Sequence, residues 1–304
     1  MAEVEKGGAD GAAVGVACAI LAFLIWGLSP VYWKLLQGVG AFEILMHRVI
    51  WSFLFLLPIL AFRGQWAEFR STLGTPKRMA VLLASTIFVA ANWFTFIYAI
   101  HHDQVMQASL GYYINPLVNV LLGALILKER LRPIGGVAVG IATVAVLLLT
   151  IGYGRIPWIA LILAFSFGSY GLIRKMIAAG ALVGLCVETL LLSAPAAAFL
   201  MILEYADRGA FLHAGPEISI LLMGTATVTG LPLLLFTTGA RRIHLSTLGF
   251  LQYLAPTCQF LLAVFAFGEP FSGAKAIAFT LIWIAVALYS IDSLRYYRRT
   301  HRHG

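Results

Sequence analysis

Seven stretches of this chain contain no Asp, Glu, Lys or Arg: residues 11–33, 79–100, 104–127, 133–154, 156–173, 218–240 and 243–268. Each is long enough to cross the hydrocarbon of a bilayer, which takes ~20 apolar residues. Only 11% of the 304 residues are charged, against roughly a quarter in a soluble domain. That is too little charge to clothe a water-facing surface, so the solvent for most of this surface is lipid. Three further apolar runs are interrupted by charge: 41–62 holds Glu43 and Arg48, 180–203 holds Glu188, and 272–292 holds Lys275 near its start. The reading is an all-α integral membrane protein of ten transmembrane helices, with no room for a soluble catalytic domain.

Orientation follows from where Lys and Arg fall between spans. Of 21 such residues, 16 lie on one set of alternate connections and four on the other (Lys34, Arg155, Arg208 and Lys275), with Arg48 inside a span. This split predicts that both termini face the cytoplasm of a bacterial inner membrane, in a multi-pass topology. It also accounts for the net charge of +8 without nucleic acid, because the basic residues are scattered between apolar runs rather than gathered on one face. Cys18, Cys186 and Cys258 lie inside apolar runs without metal-ligand spacing, and imply neither a disulfide framework nor a zinc site. The first apolar run is too long for a signal-peptide core and its flank, with Glu3, Glu5 and Asp10, too acidic, so it reads as a retained helix.

The chain also repeats itself. Ala108-Ser109-Leu110-Gly111 has a counterpart in Ser246-Thr247-Leu248-Gly249, and after a two-residue slip the register locks at an offset of 140: Tyr113 with Tyr253, Pro116 with Pro256, Glu129 with Glu269. Leu-Ala-Phe recurs at 21–23 and 163–165. The expected organisation is a cytoplasmic tail (1–10), a first five-helix repeat (11–154), a second (155–292) and a basic cytoplasmic tail (293–304). Five spans is an odd number, so the second repeat sits upside down relative to the first. Inverted repeats place a binding site near the midplane where the halves meet, and supply two states open to opposite sides.

The mid-helix Pro followed by Leu-Lys-Glu-Arg at 127–130, and again by Phe-Gly-Glu-Pro at 267–270, resembles the EamA domain of the drug/metabolite transporter superfamily. The segments at 43–53, 108–119 and 245–253 resemble its RarD-like branch, over nearly the whole chain. The resemblance implies ten helices in two repeats and export or exchange of small solutes. Members of that branch are linked by name to chloramphenicol sensitivity.

Candidate transport residues follow from polarity at membrane depth. Pro116 and Pro256 lie near the middle of their spans, and a helical proline frees the carbonyl four residues back, here of Tyr112 and Gln252. With Tyr113, Tyr253 and Asn115 beside them, these groups are tolerable only against protein or a water-filled cavity. Ordinary kinks closed by neighbouring helices are the alternative. Glu43, His47 and Trp51 recur at i, i+4 and i+8 and share one face of the second helix. Arg48 beside them lies ~10 Å below the outer boundary at 1.5 Å of rise per residue, and Glu188 stands 140 residues on. These four titratable groups read as a gate or proton-coupling site, or else as structural ion pairs or a snorkelling arginine. Asn92 and Trp93 sit mid-span on the third helix, and Trp26, Tyr32 and Tyr170 add aromatic surface to the first and sixth. His101, His102 and Asp103 occupy a tight outer turn, more simply a solvated turn than a metal site. Gly136 and Gly140 form a small-residue pair for close packing, within the bundle or between subunits.

The expected function is a secondary transporter that moves a small metabolite or drug-like solute, such as an amino acid, a derivative or an aromatic antibiotic, by alternating access, in the direction of export. A channel, or a receptor or scaffold without transport, is the alternative. A membrane enzyme is disfavoured because no hydrolase, metalloprotease or phosphate-binding motif occurs. No cofactor or metal is expected. The partners are a small-molecule solute, bilayer lipid and protons, with no nucleic acid, and the protein is a monomer or weak homodimer.

Overall fold

The computed structural model describes residues 2–128, 133–177, 179–271 and 273–300. The repeat position Glu129 lies outside these residues, as do Arg130 and Arg132. The described chain is helical throughout: α1 (Ala2–Lys34), α2 (Ala41–Phe62), α3 (Trp66–Leu73), α4 (Pro76–His101), α5 (Val105–Ile126), α6 (Pro133–Tyr153), α7 (Trp158–Lys175), α8 (Ala181–Tyr205), α9 (Pro216–Ala240), α10 (Leu245–Leu251), α11 (Leu254–Leu261) and α12 (Gly273–Thr300), with a π-helical turn over Leu262–Ala266. Among the described residues, nine helical segments are long and apolar enough to cross a membrane, α10, α11 and the π-turn together supplying one of them. The segment expected as the sixth span forms α7, an 18-residue helix whose last turn carries Arg174 and Lys175, and it is not among these nine. Those two charges dilute the apolar character of a helix with no length to spare. The short α3, between α2 and α4, buries Phe69 and Thr72 while Trp66 stays exposed.

The helices leave a broad apolar surface. Leu28, Leu83, Ile87, Leu125, Val144 and Ile151 are among many large apolar side chains left exposed, the surface expected of a bundle whose solvent is hydrocarbon. α5 is the most buried of the membrane-crossing helices and α6 one of the least. Packing follows a pattern in which α1 lies against α9 and α11 while α7 lies against α4 and α5. These pairs exchange when the chain is shifted by the repeat offset. Close backbone approach marks both sets. A Cβ on Gly27 of α1 would collide with Cys258 and Ala255 of α11, and one on Gly168 of α7 would crowd Val118 and Asn119 of α5. Positions 118 and 258 are 140 apart, and 27 and 168 are 141 apart. Gly136 and Gly140 on α6, by contrast, have nothing within 4 Å of where a Cβ would stand, so that pair is not used inside the bundle.

The two repeat-related prolines behave differently. α5 runs through Pro116 without a break, whereas the helix around Pro256 is interrupted at Gln252 and Tyr253, between α10 and α11. Beside this break Ser109 Oγ of α5 donates to the Pro256 carbonyl at 2.7 Å, whereas the carbonyl that Pro256 frees is that of Gln252. After the π-turn, Gly268 adopts φ 65°, a conformation open to glycine at no steric cost. The chain then turns so that the Glu269 carboxylate accepts from the Val105 and Met106 N–H groups at 2.5 and 3.0 Å. A carboxylate on the first turn satisfies donors that a helix start leaves orphaned. Burial pushes this carboxyl above the usual range, and the two N–H bonds draw it back down.

Candidate functional site

The N-terminal half of α2 is enclosed on all sides: every residue from Glu43 to Val49 is buried. A helix buried all round has no face on which a charge can reach solvent, yet this stretch contains Arg48, only 7% exposed. Its Nε donates to Thr229 Oγ1 of α9 at 2.9 Å. Its guanidinium lies over the Trp93 ring of α4, 4.0 Å from the centroid, and 5.1 Å from the Trp33 ring of α1. Such contacts stabilise a desolvated cation by about 2 kcal/mol or more each and offset part of the several kcal/mol it costs to take it from water. Among the described residues no carboxylate pairs with it. Trp33 was not singled out by sequence reasoning, being next to the boundary residue Lys34. It is 1% exposed, and its indole N–H has no acceptor. Ser52, one turn beyond Arg48, likewise has no partner for its hydroxyl.

Asn92 and Tyr112 close this region. Asn92 Nδ2 donates to the Leu163 carbonyl and to Ser166 Oγ of α7, at 3.2 and 3.1 Å, and its Oδ1 accepts from the Tyr112 hydroxyl at 3.2 Å. The structure thus groups Arg48, Trp93, Asn92 and Tyr112, all expected from sequence, with Trp33 and Thr229, which were not.

The corresponding half of α8, Leu182–Thr189, is also buried throughout, and its charge is fully engaged. Glu188 is 0% exposed. Its Oε1 accepts from Ser85 Oγ of α4 at 2.6 Å and lies 3.9 Å from Arg174 Nη1 of α7, while Oε2 accepts from the Tyr170 hydroxyl at 3.2 Å. Arg174 also donates through Nη2 to the Gly180 carbonyl at 3.0 Å. Sequence reading assigns Arg174 to a cytoplasmic connection, because the positive-inside rule counts charge and not direction. The legible signal was Gly184, one turn before Glu188, whose hydrogen leaves room that a Cβ would take from the guanidinium.

Glu43, His47 and Trp51 share a face as expected. Glu43 Oε1 accepts from the Ala210 N–H of the α8–α9 connection at 2.6 Å and stands 4.0 Å from His47 Nε2. Phe211 stacks on His47 and tilts against Trp51, with centroid separations of 5.1 and 5.7 Å. His47, Trp51 and Phe211 line an open cleft of about 400 Å³ with Leu200, Met201 and Tyr205.

Tyr113 and Tyr253 stack 6.3 Å apart and face α12 rather than Arg48. The Tyr113 hydroxyl shares a 2.7 Å hydrogen bond with Thr257 Oγ1, and with Phe250, Trp283 and Ser290 the pair lines a second cleft of about 300 Å³. Asn115 Nδ2 clamps the Ala164 carbonyl of α7 at 3.1 Å. Trp26 belongs to a ring cluster with Phe23 and Phe236, and the Tyr32 hydroxyl donates to the Leu221 carbonyl of α9. At the outer turn Asp103 pairs with Lys34, and His102 stacks on Tyr98.

Comparison with known proteins agrees with this architecture. Residues 13–151 match the model of the EamA-like transporter family. The chain is 46% identical over 283 residues to "Protein RarD" of Salmonella typhi, covering 92% of this chain and 95% of that one. It is 43% identical to an "Uncharacterized transporter" of Vibrio cholerae, covering 92% and 93%. A solved crystal structure at 21% identity superimposes with a TM-score of 0.59 over 92% of this chain and 97% of the other, which shows a shared fold.

Proposed function

This chain belongs to the EamA-like transporter family, and from that premise we propose that it is a secondary transporter exporting a small metabolite or drug-like solute across the bacterial inner membrane by alternating access. One observation carries the reading: two enclosed half-helices, 140 residues apart in sequence, each hold a charge at the same position, Arg48 on α2 and Glu188 on α8. Buried charge at membrane depth is costly and belongs to substrate or ion pathways. The exchange of packing partners between α1 with α9 and α11, and α7 with α4 and α5, supports two inverted repeats over 11–154 and 155–292 that swap conformations. Both termini then face the cytoplasm.

In this reading Arg48, Trp93, Asn92 and Tyr112 form the heart of the solute site. Tyr113, Tyr253, Gln252, Asn115, Trp26 and Tyr170 contribute in the states that open it, with Pro116 and Pro256 as the bending points. Glu188 is the coupling carboxylate: its release from Arg174, by protonation, frees α7 from α8 on the cytoplasmic side. Glu43 and His47, tied to the α8–α9 connection through Ala210 and Phe211, close the outer end. The test is counterflow in proteoliposomes loaded with a panel of amino acids, aromatic acids and chloramphenicol. A saturable exchange, stimulated by solute on the far side, is expected for at least one of them. Uptake that is linear in concentration and carries current indicates a channel instead, and solute recovered chemically altered indicates an enzyme.

A further inference from the structure

Around Arg48 the enclosed half of α2 is rich in donors and poor in acceptors, its one carboxylate, Glu43, being turned to the Ala210 N–H. Arg48 is nine-tenths buried and uses only Nε, towards Thr229. Beside it the Trp33 indole N–H and the Ser52 hydroxyl have no partner. The acceptors nearby take their hydrogen bonds elsewhere, Asn92 Oδ1 from the Tyr112 hydroxyl and Thr229 Oγ1 from Nε, and neither receives an Arg48 Nη group. Leaving a buried donor unmade costs the full desolvation of that group, and a buried cation without a counter-charge costs more. A structure that keeps such a cluster is complementary to something absent from the chain itself: an acceptor with a negative charge.

We infer that this cluster is a binding site for the carboxylate of a small organic acid, anchored by the Arg48 Nη groups between the Trp33 and Trp93 indoles. The inference rests on the transporter reading above and names its substrate class. The planar fork of a guanidinium matches the two oxygens of a carboxylate. A single positive charge balances one carboxylate, whereas a phosphate dianion requires a second cation, and the Lys34 ammonium at that end of α1 is held by Asp103. The indole plates present flat apolar surface on which the body of the solute rests. Arg48 lines neither of the two clefts described above; in the proposed cycle the solute reaches the anchor when α2 parts from α4 and α9.

The same site explains how charge crosses without a trapped ion. An anion arriving at Arg48 neutralises it, and the neutral pair costs less in hydrocarbon than the lone cation. The loaded carrier therefore reorients more readily than the empty one, which is the behaviour of an exchanger.

Thermal unfolding of the full-length protein in detergent tests this with matched pairs: acetate, benzoate, phenylacetate and succinate against acetamide, benzamide, phenylacetamide and succinamide. At least one acid is expected to raise the Tm of the wild type where its amide does not, with binding weakened on the order of 100-fold in Arg48→Gln and less in Arg48→Lys, which keeps the charge. The acid–amide comparison needs no variant and stands if Arg48→Gln does not fold. A panel in which no acid outperforms its amide, or an acid effect that persists in Arg48→Gln, overturns the inference. Proteoliposome counterflow of the same compounds separates the two readings. Exchange of chloramphenicol, an uncharged molecule, without any acid leaves the carrier standing and removes the anion site. Arg48-dependent binding of an acid with no counterflow leaves the site and removes the carrier.

Discussion

Residues 43–49 of α2 and 182–189 of α8 are each enclosed on every side; the first holds Glu43 and Arg48, the second Glu188, and Arg48 and Glu188 stand 140 positions apart. Even their surroundings correspond. A hydroxyl reaches Arg48 from α9 and another reaches Glu188 from α4, while the ends of α1 and α7 supply Trp33 and Arg174. The chemistry diverges inside that common frame. Glu188 is matched by a guanidinium and two hydroxyls; Arg48 is matched by aromatic faces and one hydroxyl, with no anion. A satisfied charge is a lock between helices, and an unsatisfied one is a place for something that arrives. In the proposed reading, two corresponding places are divided between holding and binding.

The largest expected effect tests the lock. Glu188→Ala strands the Arg174 guanidinium, and removing one partner of a buried pair costs about 3–5 kcal/mol. Arg48→Met at the equivalent place removes a charge that leaves no counter-ion stranded, so its stability stays within about 1 kcal/mol of the wild type while transport of any acid is lost. Equal losses of Tm in the two variants break the comparison. Glu188→Gln keeps an acceptor for Ser85 but cannot titrate, and uptake in proteoliposomes is expected to lose its pH dependence. A pH profile identical to that of the wild type takes Glu188 out of coupling. Ser85→Ala removes a single hydrogen bond to the carboxylate and is expected to cost about 1.5–3 kcal/mol in thermal unfolding. The smallest effects separate adjacent tyrosines. Tyr113→Ala and Tyr253→Ala are expected to weaken solute binding by less than Tyr112→Ala does. The reverse order moves the solute from Arg48 to the cleft beside α12.

The spans, the all-helical class and the internal offset were legible in the chain because the bilayer imposes a length and a polarity on every crossing segment. The offset even located Arg48 and Glu188 as equivalent. α7 was legible as a helix but falls outside the nine segments long and apolar enough to cross, since its charged end serves Glu188 rather than the apolar count. The repeated Glu, read as a marker of register, proves at Glu269 to be a cap on the first turn of α5. Tyr112 and Tyr113 looked interchangeable beside Pro116, but consecutive helical residues point about 100° apart, and the two belong to different helix contacts.

From sequence alone, this protein was committed to helices in lipid, to a twofold internal plan and to a few charges at forbidding depth, because those follow from one-dimensional spacing and transfer energy. Which of those charges is answered and which is left open was decided only by tertiary structure. Pairing depends on where Arg174, Ser85 and Trp33 point in three dimensions, and neighbours drawn from four helices leave no fixed spacing along the chain.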